Sequence, residues 1–156
     1  MELISLLKNI YLFKGLTDLE LKKLERIVVK HEVRQGSTLF WQGDDAEGMF
    51  VIAYGTIQML YKGEESDSEE FLSLGSGAHF GELPFLDGMK RQLTARPLEN
   101  SVVYEIPFDR LRKLLEEDTK MAADFYQALA HFLSARLRQL SNEMIFLKEQ
   151  GQHHHR

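Results

Sequence analysis

Gly81, Glu82 and Arg91 fall within one short stretch, residues 80–95 (FGELPFLDGMKRQLTA), and their types and spacing suit a sugar that carries a phosphate. A glycine lets the backbone approach a ligand closely. The free N–H groups at the start of the short helix expected after Gly81 point at an anion that the helix dipole favours. Arg91, ten residues after Gly81, brings a guanidinium whose planar fork fits two phosphate oxygens at once, which an ammonium cannot do. Glu82 brings a carboxylate that accepts a hydrogen bond from a ribose hydroxyl. The plainer alternative for the same residues is a surface turn closed by a structural salt bridge.

A cassette of this kind needs a frame, and the pattern around it changes twice. Up to about Lys30 the chain reads as helical. Thr17 and Glu20 form a T-x-x-E capping box, and Leu16, Leu19, Leu24, Ile27 and Val28 recur at roughly helical spacing. Residues 31–106 are punctuated by glycine, with nine glycines between Gly36 and Gly88. Strand-like runs lie at 49–53, 56–61, 71–74 and 102–106, and the segment 35–55 (QGSTLFWQGDDAEGMFVIAYG) has the rhythm of strands turning through a small barrel. After Pro107 the pattern is helical again. Residues 109–117 read as one short helix, and Asp118 or Thr119 caps a second that continues to about Gln150 without glycine or proline.

On that second helix Tyr126, Ala130, Leu133, Leu137, Leu140, Met144 and Leu147 are spaced 4-3-4-3-4-3, a heptad seam. Phe125, Leu129 and Phe132 give it a second apolar face. One face is expected to pack on the domain and the other to meet a partner helix, as in a homodimer, although a single helix wrapped on its own domain would use the same residues.

The cassette and the glycine-punctuated frame together resemble the cyclic nucleotide-binding domain family, found in the catabolite activator protein, the regulatory subunits of the cyclic-AMP-dependent kinase and nucleotide-gated channels. The resemblance implies an α+β fold: an antiparallel β-roll (a jelly-roll-like barrel) with N-terminal helices, a short phosphate-cassette helix and a long C-terminal helix. One domain would span residues 1–150, with helices in 1–30, the roll in 31–106 and helices in 108–150, followed by a tail at 151–156. It also implies roles for individual residues. Gly81 and Glu82, beside Phe80, would meet the ribose, Glu82 on its 2′-hydroxyl. The amide of Leu83 would face the phosphate, and Arg91 would pair with it. Gln92, through its backbone amide, would serve the base, as would Ser141 and Asn142 on the long helix, which acts as a lid. The implied ligand is cAMP, with cGMP possible.

Three positions depart from the family pattern. Pro84 suits a first helical turn but removes an N–H. Lys90 stands where a proline is common. Leu93 replaces a small residue, and either crowds the pocket or points into the core. These departures leave open a second reading, a drifted fold retained as a dimeric interaction module or for another ligand.

Other function classes find little in the sequence. His79, Glu82 and Asp87 are close enough in sequence for acid–base work. No G-x-S-x-G, H-E-x-x-H or phosphate loop ending in Gly-Lys-Ser/Thr accompanies them, so the expectation is a non-enzyme. His31 and His131 read as surface or packing residues. The 156 residues suit a single domain, and with 19 basic against 24 acidic residues the formal charge is −5, without the basic stripe of a nucleic-acid surface. The family's transcription factors continue into a helix-turn-helix, whereas GQHHHR follows Gln150 here, so DNA binding is not expected. No apolar run approaches the length of a membrane span and the first residues lack a signal-peptide pattern, which makes a cytoplasmic location the default. The resemblance to a nucleotide sensor implies an unknown effector protein as the recipient of the signal. The acidic run at 64–70 (EESDSEE) reads as a solvated hairpin tip. His153, His154 and His155 read as a tail with no metal role.

Overall fold

A computed structural model of the chain describes residues 2–64 and 69–154. Most of the expected acidic hairpin tip, residues 65–68, and His155 of the tail lie outside the described residues. The order of elements is α1 (Glu2–Asn9), a 3-10 turn (Tyr11–Phe13), α2 (Asp18–Glu25), β1 (Val29–Val33), β2 (Gly48–Tyr54), β3 (Ile57–Tyr61), β4 (Glu69–Leu74), β5 (His79–Phe80), α3 (Leu83–Asp87), β6 (Thr94–Pro97), β7 (Ser101–Pro107), α4 (Phe108–Glu117) and α5 (Thr119–His154). The strands form two antiparallel sheets, β1-β7-β2-β5 and β4-β3-β6. They are two sheets and not a closed barrel. A single bridge, Phe40 to Ala95, adds the 35–47 loop to the edge next to β6.

β2 explains how the roll and the helices share one strand. Its first five residues are all buried, because successive side chains point to opposite faces and both faces are covered. Met49 and Val51 join Leu7, Leu12, Phe13, Leu21, Ile106, Leu111 and Phe125 in the core beneath the helices. Phe50 and Ile52 join Phe40, Ile57, Met59, Phe80, Ala95 and Val103 inside the roll. Leu93 packs against this second cluster, which decides between its two expected placements: it fills core.

The helices follow the cues in the sequence. The amide of Glu20 donates to the Thr17 hydroxyl at 3.2 Å and the amide of Thr17 to the Glu20 carboxylate at 2.9 Å, the reciprocal capping box. Leu19, placed on the apolar face by spacing, is 65% exposed; a helix of two turns offers the core only one stripe, and Leu21 and Leu24 occupy it. The roll begins at Val29, two residues before its expected start, because VKHEV pairs in register with β7 from Val29↔Glu105 to Val33↔Ser101. Asp118 accepts the Met121 amide at 3.1 Å and so starts α5. α5 continues past Gln150 to His154. Met121, Phe125 and Leu129 bury one of its faces against the 3-10 turn and α4, each contributing about 1.5–3 kcal/mol. Residues 137–150 are exposed throughout. Of the heptad seam only Leu133 is half-buried, while Leu137, Leu140, Met144 and Leu147 lie open.

Candidate functional site

The cassette starts at β5, whose two residues pair with β2 at Phe50↔Phe80 and Val51↔His79. Phe80 is buried and stacks on Phe50 with ring centroids 5.3 Å apart. Gly81 follows at φ +80°, and a Cβ there would lie 2.7 Å from Arg91 Nη1, so the position requires glycine twice over. Glu82 occupies the N-cap of α3, and Pro84 takes the first turn, where its missing N–H costs the helix nothing. Gly88 closes α3 in the left-handed conformation, its N–H donating to the Pro84 carbonyl. Asp87, a possible acid–base residue in sequence, accepts the Met89 amide and serves this turn. Phe85 is the buried anchor of α3. It lies 5.4 Å from the ring of Phe108 and 6.1 Å from that of Phe125, and so ties the cassette to both C-terminal helices.

Arg91 is 6% exposed. Its backbone is clamped to the 41–45 loop, the N–H donating to the Asp44 carbonyl and the carbonyl accepting from the Gly43 N–H, both at 2.8 Å. Its side chain runs inward. Nη1 donates to the Gly81 carbonyl at 2.9 Å, Nη2 donates to the Gly48 carbonyl, and the guanidinium carbon sits 4.1 Å from the centroid of Phe40. Nε has no hydrogen-bond partner among the described residues. Nor does any described ion pair include Arg91. Burial pushes the guanidinium down to about 10, against the weaker upward pull of Glu105, Asp44 and Glu82. This is a buried cation held by neutral dipoles and an aromatic face. A hydrogen-bonded anion would relieve the cost of its burial.

Glu82 is the buried carboxylate beside it, 7% exposed. Its Oε1 lies 3.1 Å from His79 Nδ1. The two atoms are in close polar contact without hydrogen-bond geometry, and both His79 nitrogens are without hydrogen bonds among the described residues. His79 itself is buried. Lys90 points outward to Asp45 at 2.8 Å in an exposed pair, and Gln92 is exposed. Leu83 opens α3 with its side chain 44% exposed.

The structure therefore gathers Phe80, Gly81, Glu82, Leu83 and Arg91 into one cradle. Ser141 and Asn142 are exposed on the outer part of α5, nine and ten residues past Phe132, which places them roughly 14 Å further along the helix. Sequence reasoning missed the carbonyl of Gly48, the ring of Phe40 and the 41–45 clamp, all brought to Arg91 by pairing across the fold. The only trace in the sequence was the glycine and aromatic rhythm of residues 35–55.

A profile of the cyclic nucleotide-binding domain matches residues 30–118, which takes in β1 to the end of α4 and the whole cradle. The chain belongs to the cyclic nucleotide-binding domain family. Among its relatives, an uncharacterised Mycobacterium tuberculosis protein is 40% identical over 90 residues, covering 58% of this chain and 17% of that protein. The cAMP-activated global transcriptional regulator CRP of Haemophilus influenzae is 27% identical over 122 residues, covering 78% of this chain and 54% of the regulator. The chain thus spans about half or less of the length of these curated relatives. Of solved structures, the Thermus thermophilus catabolite activator protein superposes with a TM-score of 0.78 at 24% identity, covering 88% of this chain and 63% of that one. A cyclic nucleotide-binding domain from Methylobacillus flagellatus gives 0.79 at 21%, covering 92% and 81%. The regulatory domain of Toxoplasma gondii PKA, solved with cAMP, gives 0.68 at 21%, covering 72% and 43%. These likenesses share the fold of this cyclic nucleotide-binding domain. Among the described residues no helix is long and apolar enough to cross a membrane, and no group of three or more His, Cys, Asp or Glu residues is arranged to hold a metal ion.

Proposed function

We propose that this domain binds a cyclic nucleotide, cAMP in preference to cGMP, in the cradle of Phe80, Gly81, Glu82, Leu83 and Arg91, with the backbone amide of the exposed Gln92 serving the base, and reports its occupancy to a separate effector protein as a regulatory, non-catalytic module. The observation that carries this reading is Arg91: a buried guanidinium, 6% exposed, with no carboxylate partner among the described residues. The phosphate would take the charge of Arg91, whose fork matches its oxygens. The ribose hydroxyl would donate to Glu82. Arg91 points inward to the carbonyls of Gly81 and Gly48, and a phosphate would complete that site. Pro84 withholds one N–H that another residue there could offer, a loss of about 1.5–3 kcal/mol if the phosphate reached it.

Signal transfer would use Phe85. It joins α3 to Phe108 and Phe125, so a shift of the cassette helix reaches α4 and α5 through packed rings. α5 then moves as a lid, bringing Ser141 and Asn142 to the base and displacing a pre-existing equilibrium between helix positions. The exposed heptad seam from Leu137 to Leu147 suits a homodimer. The likeness to cAMP-binding relatives and the adenine-compatible amide and hydroxyl of Asn142 and Ser141 support cAMP over cGMP. A second reading, an interaction module whose cassette has drifted, draws on the groups that already face Glu82 and Arg91: His79 and the two carbonyls.

Thermal melting with cAMP, cGMP and 5′-AMP tests the proposal. A ligand at 100 times its dissociation constant adds about 2.7 kcal/mol of stability, which raises the midpoint of a domain of this size by roughly 5–10 °C. That rise with a cyclic nucleotide and not with 5′-AMP is the expected result. No rise with either cyclic nucleotide would favour the interaction module.

A further inference from the structure

We infer that His79 is a positioning residue that couples Glu82 to the long helix through Phe132, an inference that rests on the reading that a sugar hydroxyl meets Glu82. His79 is only 8% exposed, and neither ring nitrogen has a hydrogen bond among the described residues. A position needed only for packing would favour an apolar side chain, because an unbonded imidazole gives up its hydration for nothing. Three groups surround the ring. Val51 lies opposite on β2, the Glu82 carboxylate stands 3.1 Å from Nδ1, and the ring of Phe132 on α5 lies with its centroid 4.4 Å away, tilted by 56°. Glu82 is the titratable member of the three.

Phe132 marks a boundary on α5. Upstream of it Met121, Phe125 and Leu129 are buried; downstream every residue from Leu137 to Gln150 is exposed. Phe132 also touches Tyr11 on the 3-10 turn, with ring centroids 5.9 Å apart. It is the last aromatic contact between the long helix and the rest of the domain. His79 thus has the Glu82 carboxylate on one side and the limit of the docked helix on the other. While Glu82 faces His79, the close contact between them holds the imidazole in place and the imidazole holds Phe132. A hydroxyl that donates to Glu82 reorients the carboxylate, the contact weakens, and the imidazole must find another partner. Phe132 then loses its fixed neighbour, and the outer half of α5 is released to move.

The test is a double-mutant cycle read by amide hydrogen exchange over residues 128–136, first without nucleotide. Glu82→Gln removes the carboxylate beside the ring and is expected to change exchange there about twofold or more, the lower end of coupling between touching residues. In a His79→Phe background, which keeps a ring against Phe132, Glu82→Gln should change it far less. Equal changes in both backgrounds, or none in either, overturn the coupling. His79→Leu repeats the cycle if phenylalanine does not fold. The second arm adds cAMP: exchange over 128–136 should respond in the wild type and not in His79→Phe, and an equal response in both overturns the coupling. If the wild type takes up no cAMP, the nucleotide reading fails and the ligand-free cycle by itself decides whether His79 connects Glu82 to the helix.

Discussion

Replacing Arg91 with methionine should separate stability from binding. A guanidinium that burial pushes down to about 10 carries a penalty of roughly 3 kcal/mol, at about 1.4 kcal/mol per tenfold change. Methionine removes that penalty and fills most of the volume above Phe40. Against this gain stand the charge-assisted hydrogen bonds to the carbonyls of Gly81 and Gly48, about 1.5–3 kcal/mol each, and a cation–π contact of about 1–2 kcal/mol. The backbone clamp to Gly43 and Asp44 uses main-chain atoms and survives the substitution. The terms oppose one another, and the free protein should lose about 1–5 kcal/mol. Nucleotide binding should fall by about 2–5 kcal/mol, or roughly thirty- to several-thousandfold, because the phosphate would lose the guanidinium that pairs with it. Urea unfolding of the free protein followed by circular dichroism, beside nucleotide titration of the same variant, measures both. A loss of stability above about 5 kcal/mol would make Arg91 a structural strut, and retained affinity would remove it from the site.

Three further outcomes follow from particular contacts. Gly81→Ala places a Cβ at φ +80° and 2.7 Å from Arg91 Nη1, so it should cost about 1–2 kcal/mol in stability and weaken nucleotide binding at least about tenfold by displacing the guanidinium; unchanged affinity would contradict the cradle geometry. Leu137→Glu with Met144→Glu puts charges on the exposed seam of α5 and should yield a monomer by sedimentation if the seam pairs two copies, whereas an unchanged sedimentation coefficient in a dimeric protein would place the interface elsewhere. The carboxyl of Asp118 is held below its ordinary value, first by the Met121 amide and then by Lys23. Its contribution is therefore present above its unfolded pKa, near 3.9, and is lost as pH falls through the lower folded value. Asp118→Asn, which keeps a capping side chain, should lose less stability than the wild type between pH 5 and pH 3; parallel acid curves would refute the assignment.

Legibility in the sequence followed the range of the interactions. The capping box of Thr17 and Glu20 depends on residues three apart and was visible, as was β2, whose unbroken apolar run reflects burial on both faces. β1 was hidden because VKHEV carries charged residues on an exposed face, and β6 because Pro97 argues against a strand; both exist through pairing with β7 and β3. The cassette was legible because Gly81, Glu82 and Arg91 lie within eleven residues. What holds Arg91 was not. The Gly48 carbonyl is 43 positions away, and a carbonyl has no residue type to betray it. His79 stood out in sequence only as a possible acid–base residue; its contact with Phe132, 53 positions later in the chain, appears only once α5 is docked. Ser141 and Asn142 lie where the helix is open to solvent, so the proposed part in base recognition would require a movement of α5.

Calorimetric titration of the purified protein, freed of carried-over nucleotide, with cAMP and then cGMP tests the central claim most directly. The account predicts saturable heat with one nucleotide per chain and tighter binding of cAMP. No heat with either nucleotide at concentrations up to about a millimolar, a free energy of only about −4 kcal/mol, would contradict it and leave Arg91 and Glu82 as groups the protein holds for its own sake.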